Sequence, residues 1–106
     1  MKSKELIMPK GYAIIQIRDN SDVTSKHRPN VQRIREKYQG ELLVGTNSSV
    51  SIEDNTLEGY TTYVFSFPDI ESANSFYNDP VNQDFKTELK QTPGGDFKGF
   101  TVEGNS

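Results

Sequence analysis

The chain has 106 residues, 32% of them hydrophobic, with 12 Lys plus Arg against 15 Asp plus Glu for a net charge of −3, and no cysteine. This length and composition predict one domain with a thin core, exclude disulfides, thiolate chemistry and cysteine-based zinc sites, and argue against general attraction to nucleic-acid phosphates. No stretch has the apolar length of a membrane span and MKSKELIMPK lacks the apolar centre of a signal peptide, so a cytoplasmic protein with neither membrane nor nucleic-acid partner is expected.

Residues 1–9 read as a loose leader, 10–104 as a single domain and 105–106 as a frayed end. GYAIIQIR, residues 11–18, predicts the first strand, with Tyr12 and Ile14 on one face and Ala13, Ile15 and Ile17 on the other. Both faces of this strand require cover. The stretch from Asp22 to Tyr38 has helical character interrupted by Pro29. Because proline lacks a backbone donor and clashes with the preceding turn, the expectation is a short turn over 22–27 and a firmer helix over 29–38 that starts at Pro29. Val31, Ile34 and Tyr38 form its apolar stripe and Gly40 its stop.

ELLVG, residues 41–45, predicts the second strand, which TNSSVSIEDN extends or bends before a turn. Gly59 opens the third strand, in which Thr61, Tyr63, Phe65 and Phe67 share one face and Tyr60, Thr62, Val64 and Ser66 the other. Pro68 ends it. Asp69 caps a helix whose buried stripe is Ile70, Ala73, Phe76 and Tyr77; Asp79-Pro80 restarts the helix as cap and first residue, with Val81, Phe85 and Leu89 continuing the stripe. Thr92-Pro93-Gly94-Gly95 predicts a turn and FKGFTVEG, residues 97–104, the last strand, with Phe100 and Val102 on one face.

The order β-α-β-β-α-β is that of the ferredoxin-like α+β fold, a four-stranded antiparallel sheet with helices on one face. The second face is left open, yet it carries bulk. A second copy of the chain is its simplest cover, which predicts a homodimer built as a dimeric α+β barrel.

Gly11-Tyr12, Gly40, Phe67-Pro68, Ala73, Tyr77-Asn78-Asp79-Pro80 and Val102-Glu103-Gly104 stand in an order and spacing that resembles the family catalogued as domain of unknown function 1330, over roughly residues 11–104. The resemblance implies a dimeric α+β barrel and no established reaction. Several positions depart from the pattern: Gln39 replaces the first of a glycine pair, Glu41 and Gly45 stand where arginines are common, Ser66 where an acid precedes Phe-Pro, and Val81 where an aromatic is common. If the family shares a polar site, these departures remove or change part of it.

Candidate chemistry is sparse. His27 is the one histidine, and histidine titrates near neutral pH. Flanked by Lys26 and Arg28, it reads as a solvated or structural side chain; the resemblance puts it near a pocket mouth, which makes it the catalytic candidate. Tyr63 and Tyr77 are either fold-specifying or ligand-binding residues of a pocket between sheet and helices. Lys90, where relatives often carry a basic residue, is either a solvated helix-end lysine or a partner for an anionic ligand. The basic residues from Lys26 to Lys37 are interrupted by Glu36 and interleaved with no aromatic before Tyr38, so they predict no nucleic-acid surface. Glu53, Asp54 and Glu58 lack calcium-loop spacing, and neither a metal nor another cofactor is expected. Gly94-Gly95 reads as ordinary turn chemistry before an anion nest. The leading expectation is a dimeric binder of a small organic molecule, acting on it, if at all, without metal or prosthetic group. The alternative is a non-catalytic dimeric interaction or metabolite-sensing module with a filled interior.

Overall fold

The computed structural model describes residues 9–19, 22–46 and 59–104. The expectations for a loose leader, a frayed end and an extension of the second strand past Thr46 fall largely on residues outside this set. The elements are β1 (Gly11–Arg18), α1 (Val23–Lys37), β2 (Glu41–Thr46), β3 (Thr61–Phe67), α2 (Ile70–Asn78), α3 (Pro80–Gln91) and β4 (Asp96–Glu103). The four strands form one sheet in the order β2-β3-β1-β4, with every neighbouring pair antiparallel. This is the ferredoxin-like α+β arrangement read from the sequence.

The period-2 alternation of β1 and β3 decides which face is covered. Their register sets Ala13 opposite Phe65, Ile15 opposite Tyr63 and Ile17 opposite Thr61. That face packs against Val23 and Ile34 of α1, Ala73 and Phe76 of α2, and Phe85 and Leu89 of α3 to make a single core. The opposite face places Val44, Val64, Ile14 and Phe100 in one row across the sheet. Phe100, Val102 and Val44 are exposed there.

The helix termini follow the local signals. Asp69 accepts from the Ser72 amide at 2.8 Å and so caps α2. Asp79 caps α3 through the Val81 amide at 2.9 Å, and its second oxygen accepts from the Tyr38 hydroxyl at 2.9 Å. At the junction, Asn82 Nδ2 donates to the Phe76 carbonyl at 2.6 Å and Gln83 Nε2 to the Tyr77 carbonyl at 2.9 Å. The end of α2 thus has side-chain donors for carbonyls that the helix itself leaves unpaired.

Two expectations are corrected. Pro29 does not begin a second helix: α1 runs from Val23 to Lys37 with Pro29 inside it. The proline removes one bond, to the carbonyl of Ser25, and both residues are exposed, so the freed carbonyl can be hydrated. Contacts on each side of the proline hold one helix across it. The Thr24 amide donates to Asp19 at 2.7 Å, Lys26 and His27 both bond Glu88 of α3, and Val23 and Ile34 enter the core.

The left-handed residue that ends α1 is Gln39, with φ +61°, rather than Gly40. Gly40 serves close packing instead, since a Cβ there would stand 2.3 Å from Phe67 Cε2. A non-glycine side chain in the left-handed region costs about 1 kcal/mol. Gln39→Gly, which restores the glycine pair of the family pattern, is therefore expected to raise stability by about 0.5–1 kcal/mol in urea titrations, the gain being trimmed by the greater freedom of glycine in the unfolded chain.

Candidate functional site

A cavity of about 180 Å³ lies between the sheet and helices α1 and α3. Its floor is the covered face of the sheet: Ile15 and Ile17 of β1, Tyr63 and Phe65 of β3, and Phe97 of β4. Phe85 and Asn82 of α3 close one side. The remaining wall is α1, which contributes Thr24, Arg28, Val31, Gln32 and Arg35. These positions follow the i, i+4, i+7, i+8, i+11 spacing of one helix face. Leu42 of edge strand β2, with Arg28 and Gln32, forms the exposed rim. Among the described residues the lining contains two arginines and no Asp or Glu.

The α1 wall has unspent polar capacity. Arg35 donates to the Gly40 carbonyl at 3.2 Å, while Arg28 has no ion-pair or hydrogen-bond partner among the described residues. The buried hydroxyl of Thr24 likewise has no partner there. A buried polar atom without a partner is unusual enough to need an explanation.

Of the residues singled out in the sequence, Tyr63 stands in the cavity wall, its ring stacked on Phe65 at 6.2 Å. The other three are placed elsewhere. His27 lies on the side of α1 that meets α3, where its Nε2 is 2.8 Å from Glu88 Oε1 and its ring stacks on Phe85 at 5.1 Å. Phe85 therefore separates His27 from the cavity. The bonds from His27 and Lys26 hold the Glu88 carboxyl below its usual range. Tyr77 lies over Gly99 of β4, where a Cβ would stand 2.6 Å from its Cε2, and meets Phe97 edge-on at 6.3 Å. Burial raises the pKa of its hydroxyl. Lys90 is exposed at the end of α3, where its charge helps to hold down the Asp96 carboxyl. The structure does not bring these three together with Tyr63.

A second polar cluster lies where β1 ends and β4 begins. Tyr60 is buried, its ring flanked by Arg18 Cζ at 5.1 Å and Lys98 Nζ at 4.8 Å, and its hydroxyl donates to Asp96. Arg18 Nε also donates to the Gly94 carbonyl at 2.9 Å, tying in the turn at Gly94-Gly95. The Tyr60–Asp96 bond, assisted by burial, raises the tyrosine pKa; the same bond lowers that of Asp96 against the opposing effect of burial. The depressed Asp96 value stabilises the fold above the ordinary 3.8, and this is lost as pH falls through the folded value. The raised Tyr60 value stabilises it below the ordinary 10.0, and this is lost as pH rises through the folded value. Tyr60→Phe is accordingly expected to cost about 1–2 kcal/mol between those limits, with the difference from the parent narrowing beyond each. Denaturant titrations at acid, neutral and alkaline pH check this.

The family model Domain of unknown function (DUF1330) matches residues 10–104. The chain belongs to the DUF1330 family. No curated protein matches this DUF1330 member in sequence. Among solved structures it is similar to RPA0582, a protein of unknown function from Rhodopseudomonas palustris, with a TM-score of 0.62 at 9% identity over 100% of this chain and 96% of that one. Methylated RPA0582 gives 0.63 at 8% identity over 100% and 94%. A putative antibiotic biosynthesis monooxygenase from Caulobacter crescentus CB15 gives 0.52 at 8% identity over 97% of each chain. These likenesses concern the fold alone, and they agree with the ferredoxin-like arrangement of this DUF1330 chain.

Sequence reasoning did not single out Arg28, Gln32, Arg35, Thr24 or Asn82 as lining residues. For the four on α1 a signal existed, the repeat Thr24, Arg28, Gln32, Arg35 beside the apolar stripe. It was hidden by the expected break at Pro29, which splits the face in two. Asn82 carries no such signal, because its burial depends on how α3 turns away from α2.

Proposed function

We propose that this DUF1330 protein is a cytoplasmic homodimer that binds a small organic molecule in the cavity between the sheet and helices α1 and α3. The observation that carries the reading is that cavity: an apolar floor with a few polar groups converging from one helix, the usual form of a small-molecule site. A pure interaction module predicts a filled interior, whereas this space opens at the rim of Arg28, Gln32 and Leu42 and reaches in to the apolar floor. Tyr63 is the ligand-touching tyrosine in this reading. His27 and Tyr77 act at one remove, through the Phe85 and Phe97 rings that they contact, and Lys90 is a solvated helix-end lysine.

The homodimer is proposed from the open sheet face, where Ile14, Val44, Val64, Phe100 and Val102 make a continuous apolar surface across all four strands. Large apolar patches of this kind mark association surfaces. No helix among the described residues is long and apolar enough to cross a membrane. Native mass spectrometry of protein purified without added ligand tests both parts. A dimer carrying a discrete extra mass that is released on denaturation is the expected result. A bare dimer that also fails to retain any member of a set of single-ring compounds would overturn the binding reading, and a monomer would overturn the homodimer.

A further inference from the structure

We infer that the cavity selects an organic anion: a carboxylic acid with a single-ring apolar body, its carboxylate held by Arg28 and Arg35. This rests on the cavity being a ligand site and names the class of ligand. Three observations lead to it. The first is charge. The chain as a whole is acidic at −3, yet among the described residues the cavity lining holds two arginines and no carboxylate. A surplus of positive charge in one concave place on an acidic protein is a local field for an anion.

The second is pairing. Arg28 has no acceptor among the described residues, and Arg35 spends one donor on the Gly40 carbonyl. A guanidinium has five donors in a planar fork, so both retain donors, and the fork matches the two oxygens of a carboxylate. Arg28 and Arg35 are seven residues apart, two turns along one helix face, so both flank the same trough.

The third is size and surface. The floor under the arginines is aliphatic and aromatic, built of Ile15, Ile17, Tyr63, Phe65 and Phe97. A cavity of about 150 Å³ with such walls accepts a benzene ring, and this one measures about 180 Å³. A neutral apolar guest would leave the two arginines unused. A dianion such as a phosphate ester would desolvate a second charge over an apolar floor. A monocarboxylate on one ring satisfies both walls.

The test uses the full chain and three fluorine-labelled probes: 4-fluorobenzoate, its neutral counterpart 4-fluorobenzamide, and 4-fluorotoluene. Fluorine NMR titration is expected to show the acid binding at least about tenfold more tightly than the amide, the size of one charge-assisted hydrogen bond. In Arg28→Met this preference should fall to near parity, while Arg28→Lys recovers part of it; circular dichroism of each variant reports whether the fold is kept. Equal binding of acid and amide in the parent overturns the anion inference, and a preference that survives in Arg28→Met overturns the assignment of the carboxylate to Arg28; either leaves the cavity reading intact. If none of the three probes binds, 4-fluorotoluene included, the cavity reading falls and the inference falls with it.

Discussion

Phe100→Asp is expected to leave the domain folded and to abolish the proposed self-association. Phe100 is 58% exposed in the single chain and lies on edge strand β4, so the fold of one protomer depends little on it. In the proposed dimer the same ring sits in the apolar row Val44, Val64, Ile14, Phe100, with Tyr12 and Val102 in the next row. Burying a phenylalanine is worth about 1.5–3 kcal/mol, and a two-fold interface counts each substitution twice. An aspartate in its place also has to be desolvated against apolar neighbours. The dimer dissociation constant should therefore rise on the order of a hundredfold or more. Light scattering on a sizing column would show the mass falling from twice 12.0 kDa to 12.0 kDa. A variant that remains a dimer would move the interface elsewhere, and a parent protein that is already monomeric would leave the open face without its proposed partner.

Phe76→Ala is expected to be the most damaging single truncation in the core. Phe76 is fully buried, with ring centroids 5.2 Å from Phe65 and 4.9 Å from Phe67, so it joins α2 to β3 through an aromatic cluster. Its backbone carbonyl accepts from Asn82 and fixes the corner between α2 and α3. Truncation of a buried phenylalanine costs about 3–5 kcal/mol, and a domain of this size has about 5–15 kcal/mol in total. At about 4–8 °C per kcal/mol for a domain near this length, the melting temperature should fall by about 12–40 °C. A loss below about 1 kcal/mol in urea titrations would mean that α2 is not docked as described.

The contrast between these two phenylalanines shows what a sequence can settle. Alternation along β3 separates Phe65 and Phe67 from Val64 and Ser66, and the i, i+3 spacing of Ala73 and Phe76 marks a buried helix face. The caps at Asp69 and Asp79-Pro80 are equally legible, because each bond spans two or three residues. Element order then leads to the ferredoxin-like sheet, and the motifs from Gly11-Tyr12 to Val102-Glu103-Gly104 lead to the family. All of these depend on backbone preferences and repeat patterns that a short stretch carries by itself.

What remained illegible depends on groups far apart in the chain. Pro29 breaks a helix by local rules, but bonds from α1 to Glu88, some sixty positions away, keep α1 whole. Gln39 has a left-handed backbone, and Gly40 after it packs against Phe67 from a strand more than twenty positions away. The candidate site was decided in the same way. The burial of Val23 and Ile34 sets the rotation of α1 about its axis, and that rotation turns Thr24, Arg28 and Arg35 toward the cavity and His27 toward α3. A difference of one residue on a helix is about 100° of direction. Sequence by itself determined the order of the elements, the caps at Asp69 and Asp79, the fold and the family. Only tertiary packing decided which side of each helix faces the cavity, because that choice is made by contacts between segments and not within them.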